Sequence, residues 1–409
     1  MIPYSETFTV DLLAPGQSNE SVKKRFMAPL VSLEKDKSKK ISGDLLARAT
    51  DKSGTSYPLA SIENNVPRIF FDLKATIQMI RGEHYSGAEL ASVVATRLPF
   101  DYTKLPMWLV GLASKILTKP IDPSGFPDYP AYPADFSADY LYGLGQVAEK
   151  RQPLIWPQGK KYCLAFTHDV DTSWIFSHPK WLRLYGEAEE ECGFHSAWYV
   201  VPKASQGSAS RASLSKLVEA GHEIGVHGYS HDPALPDNSL TMLEDKFESG
   251  KEILSDYLGV TPGYRAPWLS RNDRMRQALA NTGYLYDSSS PSTDFFRNNS
   301  IANNGCGTVF PFLQNGVIVI PLTLPMDSIR RNFGKSPMGF WRWIYELIGD
   351  IRDFGGMAMI TTHIQPHYSA NEPMLEGYKW LLGELENDHT AWHALPRDVA
   401  LWAKENFHP

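Results

Sequence analysis

The sequence predicts an α/β protein built on a parallel sheet, either closed as a barrel or doubly wound, with a smaller mixed α/β region before it. Three observations lead to this prediction. From Lys161 onward, seven apolar strand-like runs alternate with helix-like segments, which is typical of parallel sheets. Before about Leu117, strand-like and helical runs are mixed, and a proline-rich stretch separates the two regions. The 409 residues are also long for one compact domain.

The N-terminal region carries no recognisable chemical motif. We predict an α/β domain over residues 1–118, in which 68–79 is strongly apolar and 107–117 fits a buried helix. A connector is predicted over residues 119–160, because its prolines, at positions 120, 123, 127, 130, 133, 153 and 157, oppose regular structure. The barrel region then occupies residues 161–409.

Seven apolar runs predict the strands of the barrel region. They begin at Cys163, His195, His222, Gly263, Tyr284, Val317 and Gly356. Amphipathic segments between them predict helices, for example over 340–351 and 374–385. Thr241 and Glu244 fit a capping box at the start of another helix, which we expect to end near Gly259.

Composition and charge indicate an ordinary globular protein. The chain is 43% hydrophobic and 21% charged, and its net charge of -6 argues against a nucleic-acid-binding face. The first ten residues lack the pattern of a secretory signal, and no apolar run approaches the ~20 residues that span a bilayer. Cys163, Cys192 and Cys306 are spaced too widely for a disulfide frame or a zinc knuckle. We therefore expect a cytoplasmic protein with no membrane span.

Acidic residues and histidines follow two of the predicted strands. Asp169 and Asp171 end the first strand, and residues two apart share one face of an extended chain. Two close carboxylates repel each other unless a cation or a proton lies between them. His227 and His231 follow the third strand, and imidazole together with carboxylate is a common donor set for Zn²⁺. Each pair alone is ordinary, but both lie where a parallel barrel gathers its catalytic groups.

Three further strand ends carry polar residues. Arg265, in the sequence Arg-Ala-Pro-Trp, is of the type that holds a carboxylate by paired hydrogen bonds. Asp287 and His363 end two later strands. Taken singly, Arg265 is typical of a surface ion pair, Asp287 of a turn and His363 of a histidine buried in the core.

In this order, the motifs resemble the polysaccharide deacetylase family, carbohydrate esterase family 4, with its chitooligosaccharide-deacetylase-like catalytic domain. The resemblance covers roughly residues 162–401 and depends on the order and spacing of the five motifs. It implies a distorted parallel barrel of about seven strands. It also implies one divalent metal ion, most often zinc, held by one aspartate and two histidines.

The resemblance assigns a role to each site residue. His227 and His231 would be the histidine ligands, Asp171 the third ligand and Asp169 the catalytic base. Arg265 would hold the base.

At the end of the last strand, His363 would act as the general acid, oriented by Asp287. Asp327 is the rival for that orienting role.

The chain departs from the usual motifs at several positions. The usual first motif is Thr-Phe-Asp-Asp, whereas here His168 replaces the phenylalanine and Val170 separates the two acids. It therefore stays open which of Asp169 and Asp171 is the base and which is the metal ligand. Gly228 follows the first histidine of the second motif, where Ser or Thr is usual, and Ser288 stands where the fourth motif has Trp.

We therefore expect a metal-dependent hydrolase that removes an N-acyl group, acetyl in the first place, from an amino sugar or glycan precursor. The alternative is an enzyme of the same fold that acts on a linear or cyclic non-sugar amide, such as an imide or ureide, with or without metal. A non-catalytic binding protein of this fold is the more distant alternative, since it would have lost these residues. No nucleic-acid partner is expected, and oligomerisation stays open.

Overall fold

The computed structural model describes residues 7–13, 22–35, 43–64, 66–84, 109, 112, 136–149, 156–259, 262–294 and 305–406. The chain divides into two compact units. The first comprises Met1–Glu89, Pro123–Ile155 and Ser292–Val309, and the second comprises Leu90–Asp122, Trp156–Pro291 and Phe310–Pro409. Most of the predicted buried helix over 107–117 and the proline-rich residues 119–135 lie outside the described residues.

In its described residues, the first unit contains a five-stranded antiparallel sheet and two helices. Its strand order is β2-β1-β3-β4-β5, and its elements are β1 (Thr7–Leu13), β2 (Val22–Pro29), β3 (Asp44–Thr50), β4 (Ser56–Glu63), β5 (Val66–Ile69), α1 (Leu73–Arg81) and α2 (Ser137–Glu149). Alternating buried residues of β1 and β2, such as Phe8, Val10 and Phe26, form one core with Ile77 and Ile80 of α1. A mixed N-terminal α/β region, as predicted, is therefore present, and α2 lies within the segment predicted as a connector.

From Tyr162 onward, the second unit runs through three strands, each followed by one or two helices. They are β6 (Tyr162–Val170), α3 (Trp174–Ser177), α4 (Pro179–Glu191), β7 (Ser196–Val200), α5 (Ser208–Glu219), β8 (Glu223–His227) and α6 (Leu240–Ile253). Ser239 caps α6 by accepting a hydrogen bond from the Met242 N–H at 3.3 Å. The predicted capping box at Thr241 is therefore wrong, because Ser239, two residues earlier, is the N-cap. The predicted end near Gly259 is also wrong, since α6 ends at Ile253.

The rest of the second unit completes the sheet. Its elements are β9 (Gly263–Arg265), α7 (Asp273–Asn281), β10 (Tyr286–Asp287), β11 (Phe312–Gln314), β12 (Val317–Val319), α8 (Pro337–Phe354), β13 (Met357–His363), α9 (Glu372–Leu385), β14 (Ala391–His393) and α10 (Pro396–Asn406). All seven predicted strands are present. β11 and β14, of three residues each, were not predicted.

The strand order of the large sheet is β11-β12-β10-β9-β8-β7-β6-β13, with β14 beside the start of β6. All pairings are parallel except that of β11 with β12. The sheet curls into a half-barrel, and the Met359 N–H of β13 donates to the Thr323 hydroxyl beyond β12 at 2.9 Å. The predicted α/β barrel class is confirmed.

The two faces of β6 have different environments. Odd-numbered residues such as Cys163 and Ala165 belong to the core inside the curled sheet, together with Tyr199, Tyr286 and Met359. We call this side the inner face. Even-numbered residues such as Phe166 lie on the opposite side, which we call the helix-facing side, where the Phe166 ring contacts Tyr378 of α9. Within the described part of the chain, no helix is both long enough and apolar enough to cross a bilayer.

Candidate active site and metal centre

The predicted site residues lie at the carboxyl ends of parallel strands. Asp169 is the penultimate residue of β6, and His227, Arg265, Asp287 and His363 are the last residues of β8, β9, β10 and β13. His363 is in register with Asp169, and His227 is in register with Arg265. The parallel topology therefore brings residues that are distant in sequence to one edge of the sheet.

Asp171, His227 and His231 form one buried cluster. Asp171 Oδ1 lies 3.2 Å from Nε2 of His227 and 3.2 Å from Nε2 of His231. One ligand atom from each residue can be chosen so that all three lie within 4.8 Å of one another. Oδ1 is buried and accepts no hydrogen bond from the described residues. Three acceptor atoms facing one another out of solvent fit a divalent cation, and the donor set suits Zn²⁺.

Two neighbouring groups orient these ligand atoms. His227 Nδ1 lies 3.0 Å from the Arg265 carbonyl, which can only accept, so Nδ1 carries the proton and Nε2 is left free for a metal. Gln365 Nε2 donates to Asp171 Oδ2 at 2.5 Å and leaves Oδ1 directed at the histidines. Burial alone would raise the pKa of Asp171, but His231 and His227 outweigh it and hold the pKa well below its usual value. Asp171 is therefore an anion in the fold.

Left-handed backbone is concentrated beside this cluster. His231 has φ 58° and Trp268 has φ 57°, a region that non-glycine residues seldom adopt. Gly228 has φ 65°, and a Cβ added there would lie 2.6 Å from the Pro267 ring, so glycine is required where the motif usually has Ser or Thr. Trp268 is 45% exposed, and its ring lies 6.5 Å from that of His231. Such strain is typical of functional sites.

Asp169 is held by Arg265 on the inner face. Arg265 Nη1 donates to Asp169 Oδ1 at 2.8 Å, and its Nε donates to the Ser288 carbonyl at 3.0 Å. The guanidinium lies 4.1 Å from the centre of the Tyr199 ring. Burial alone would raise the pKa of Asp169, but the charge of Arg265, followed by those of the histidines, lowers it. Asp169 thus stays ionised and directs its second oxygen, Oδ2, to within 3.8 Å of His363 Nε2.

His363 is oriented by Asp327, in the short helical turn Asp327–Ile329. His363 Nδ1 donates to Asp327 Oδ1 at 2.7 Å, and the His363 N–H donates to Oδ2 at 3.0 Å. The Ser369 hydroxyl donates to the same Oδ2 at 2.5 Å. Burial would lower the pKa of His363, but Asp327, followed by Asp171 and Asp169, raises it to about 10. His363 therefore carries a proton on Nε2 at neutral pH, facing the site.

Asp287 does not take this orienting position. Its carboxylate accepts hydrogen bonds from Arg276 Nε of α7 at 3.1 Å and from the Ser289 hydroxyl. The prediction that Asp287 orients His363 is therefore wrong, and the rival Asp327 makes the contact. The reason is topological: β10 lies on the far side of β9, β8 and β7 from β6 and β13, whereas the loop after β12 returns to β13.

His168, the unusual residue of the first motif, points away from the site to the helix-facing side. Its ring nitrogens lie 2.6 Å from the Thr362 hydroxyl and 2.7 Å from Glu189 Oε1 of α4. Tyr378 and Ser196 donate to the same carboxylate at 2.5 Å each. All of these side chains are buried. The substitution of His for Phe thus introduces a hydrogen-bonded network behind the site, rather than another ligand.

Sequence reasoning missed the residues that act from loops. Gln365 and Ser369 follow β13 without periodicity or a known spacing. It also missed Glu189, which lies not in a loop but in the last turn of the amphipathic helix α4. Only the sequence His-Ile-Gln after the predicted strand could have drawn attention to Gln365, because a polar residue that close to a strand end can reach the site.

Comparison with known proteins supports the resemblance predicted from the motifs. Residues 160–286 match the family model described as polysaccharide deacetylase. A peptidoglycan deacetylase from Helicobacter pylori (strain ATCC 700392 / 26695) is 36% identical over 87 residues, which make up 20% of this chain and 28% of that relative. The chain therefore matches little more than a quarter of the curated relative. The predicted resemblance to the polysaccharide deacetylase family is confirmed.

Two solved structures show the same fold. A putative polysaccharide deacetylase from Mycobacterium smegmatis matches with a TM-score of 0.51 and 21% identity, over 63% of this chain and 96% of that one. The Puue allantoinase matches with a TM-score of 0.50 and 16% identity, over 69% of this chain and 100% of that one. At this identity the likeness establishes the architecture of the curled sheet and its helices.

Proposed function

We propose that this chain, whose residues 160–286 carry a polysaccharide deacetylase domain, is a hydrolase that removes an N-acyl group, in the first place acetyl, from an amino sugar of a glycan or glycan precursor. The observation that carries the proposal is the grouping of three functions at one edge of the sheet. Asp171, His227 and His231 form a cation site, Asp169 is an ionised carboxylate, and His363 is a protonated imidazole.

A divalent ion at this site, zinc on the basis of the donor set, would supply Lewis-acid activation of the amide carbonyl and of the attacking water. Asp169 would accept the proton of that water, because Arg265 keeps its carboxylate ionised and fixed. His363 would donate the Nε2 proton to the departing nitrogen, and Asp327 would stabilise the imidazolium that carries it. The products are a free amine and a carboxylic acid.

The amino-sugar part of the proposal is supported by the domain family and by Trp268. An aromatic ring that is 45% exposed beside a metal ligand can stack against the apolar face of a sugar ring. The H. pylori relative is named as a peptidoglycan deacetylase, which extends the proposal to acetylated wall-type glycans.

Metal content and acetate release test the proposal together. Purified protein should bind about one divalent ion per chain and release acetate from N-acetylglucosamine oligomers. The His227→Ala/His231→Ala variant should lose both properties. An exposed surface variant, Arg183→Gln, should keep both, because Arg183 pairs only with its helix neighbour Glu187.

The outcomes separate the alternatives. Wild-type protein that stays metal-free in the presence of excess zinc would contradict the metallohydrolase. Protein that binds zinc but hydrolyses a cyclic ureide and no N-acetyl sugar would replace the amino-sugar substrate with a non-sugar amide.

A further inference from the structure

The loop that follows Asp327 carries three cations in six residues: Arg330, Arg331 and Lys335. We call this group the cationic rim. Among the described residues, none of the three forms an ion pair with a carboxylate. In the same unit, the arginines at positions 183, 265, 276, 352 and 397 each face an acidic partner, whereas Arg211 and Arg274 donate to backbone carbonyl groups.

The cationic rim is fixed in place by contacts other than ion pairs. Arg331 Nη2 donates to the His367 carbonyl at 3.1 Å, and Arg330 Nη1 donates to the Lys335 carbonyl. Lys335 Nζ lies 5.0 Å from the centre of the Trp343 ring. Burial and the neighbouring charge of Arg331 lower the pKa of Arg330. Arg330 and Arg331 are thus adjacent in the chain and partly withdrawn from water, and the charge of Asp327 offsets only part of these effects, since the pKa of Arg330 stays lowered.

The rim lies next to the reacting groups. Arg330 follows Asp327 by one tight turn, a separation of ~6 Å between backbone positions. Across the rim, the His367 ring lies tilted against that of Tyr368 with ring centres 4.1 Å apart, and the Tyr368 ring lies 5.4 Å from that of His363. The charge of Asp327 acts on Arg330, but among the described residues its two oxygens accept hydrogen bonds from His363 and Ser369 and form no ion pair with the rim.

Two buried polar atoms at the same contact lack partners. Nη1 of Arg331 and Nδ1 of His367 form no hydrogen bond with the described residues. A guanidinium nitrogen without an acceptor, here Arg331 Nη1, is a donor that a carboxylate or phosphate group can complete, and Nδ1 of His367 lies at the same contact. Since both atoms are covered in the ligand-free chain, a ligand group reaches them by a side-chain rotation of His367 or Arg331.

We propose that the cationic rim is a subsite for an oxyanion carried by the substrate, on the acylated sugar itself or on the residue next to it. The inference rests on the proposed function and narrows its substrate class to N-acyl amino sugars that bear a carboxylate or a phosphate. Arg331 is the principal contact and Arg330 the supporting one. A neutral chitin-like oligomer would leave this subsite empty.

The test compares three probes on the full-length, zinc-loaded protein by calorimetric titration: N-acetylglucosamine, N-acetylglucosamine 6-phosphate and N-acetylmuramic acid. At least one anionic probe should bind about tenfold or more tightly than the neutral one. In Arg331→Gln this preference should fall to less than about threefold while the affinity for the neutral sugar is kept. Arg331→Lys, which keeps the charge but loses the guanidinium fork, should retain part of the preference. Arg183→Gln is the matched control for the loss of one positive charge and should bind like the wild type.

Tighter binding of the phosphate probe or of the carboxylate probe identifies which oxyanion the subsite binds. Either result supports the proposed subsite. Equal affinity for all three probes, or a preference that Arg331→Gln retains, would overturn it. Acetate release measured in parallel separates the two proposals. Binding that depends on Arg331 without acetate release supports the subsite and contradicts the hydrolase. Acetate release from neutral and anionic sugars at equal rates, unchanged in Arg331→Gln, supports the hydrolase and contradicts the subsite.

Discussion

The buried charged groups on the two faces of β6 differ in their hydrogen bonding. On the inner face, Asp169 and the neighbouring Asp171 face histidines, and Asp171 Oδ1 lacks a hydrogen-bond donor. On the helix-facing side, His168 is matched by Thr362 and Glu189, and the Glu189 carboxylate accepts from two further hydroxyl groups. Burial alone would raise the pKa of Glu189, but His168, followed by His222, lowers it.

The difference shows that, of the buried carboxylates beside β6, Asp171 at the candidate cation site is the one with an oxygen that accepts no hydrogen bond from the described residues. A network in which each ionisable group has partners holds elements together, here β6, β7, β13, α4 and α9. A cluster of acceptors without donors is costly until a ligand or a proton completes it. Substitutions on the inner face should therefore change activity, and substitutions on the helix-facing side should change the free energy of unfolding.

The largest effect is expected from Asp169→Asn. An amide cannot take the proton of the attacking water, so kcat should fall by ~10²-fold to 10⁴-fold. Metal content should stay at the wild-type value, because Asp171, His227 and His231 are unchanged. Stopped assays of acetate release and metal analysis of the same sample check this. If activity and metal disappear together, Asp169 is a ligand, and the base must be sought elsewhere.

A stability effect should dominate on the other face. Glu189→Leu removes one member of a fully buried pair and leaves His168 without its partner, which should cost about 3–5 kcal/mol of unfolding free energy. Denaturant unfolding of the metal-free protein measures this cost. Glu187→Leu, on the exposed side of the same helix, is the control and should stay within ~0.5 kcal/mol of wild type.

Metal stoichiometry at saturating zinc should be unchanged in Glu189→Leu protein that is still folded. Loss of the metal with the fold intact would show that the two faces are coupled rather than independent.

The pH dependence tests the link between His363 and Asp327. Since the pKa of His363 is raised to about 10, its protonated form should persist through neutral pH and fail only on the alkaline side. Asp327→Asn removes the largest raising contribution, so the alkaline limb of kcat should move to lower pH by more than one unit. The raised pKa of His363 also stabilises the fold. This contribution to the free energy of unfolding is complete below about pH 6.5 and is lost as pH rises through about 10.

Unfolding of metal-free protein at pH 6 and pH 9.5 measures that stabilisation. Wild type should lose more stability between these values than Asp327→Asn does. Asp287→Asn is the matched comparison, because its carboxylate contacts Arg276 instead, and an alkaline limb that moves in this variant but not in Asp327→Asn would contradict the assignment.

The smallest effect concerns the support of the metal ligand. Gln365→Leu removes the hydrogen bond to Asp171 Oδ2 and should weaken zinc affinity by ~10-fold to 100-fold, with the three ligands still present. Competition with a chelator of known affinity measures the change. Gln365→Met is a useful second variant, since it keeps the length of the side chain but donates no hydrogen bond, and it should weaken zinc affinity to a similar extent. Unchanged affinity in both variants would show that Asp171 needs no orientation by Gln365.

The sequence by itself determined the strands and the residues at their ends. A buried parallel strand reads as a continuous apolar run, and its end is where polar residues begin, so Asp169, His227, Arg265 and His363 could be located without any three-dimensional information. The order and spacing of the same residues carried the family resemblance. Local chemistry is enough for both, because each depends on residues adjacent in the chain.

Only the tertiary structure decided which partners those residues have. Asp169 and Asp171 are two residues apart, yet one pairs with Arg265 and the other faces His227 and His231, because β6 ends between them. The choice of Asp327 over Asp287 depended on the path of a loop across the sheet. Likewise, His168 and Glu189 are 21 residues apart and meet only because α4 folds back on β6. Partners such as these are fixed by strand order and loop path, which the periodicity of one segment does not encode.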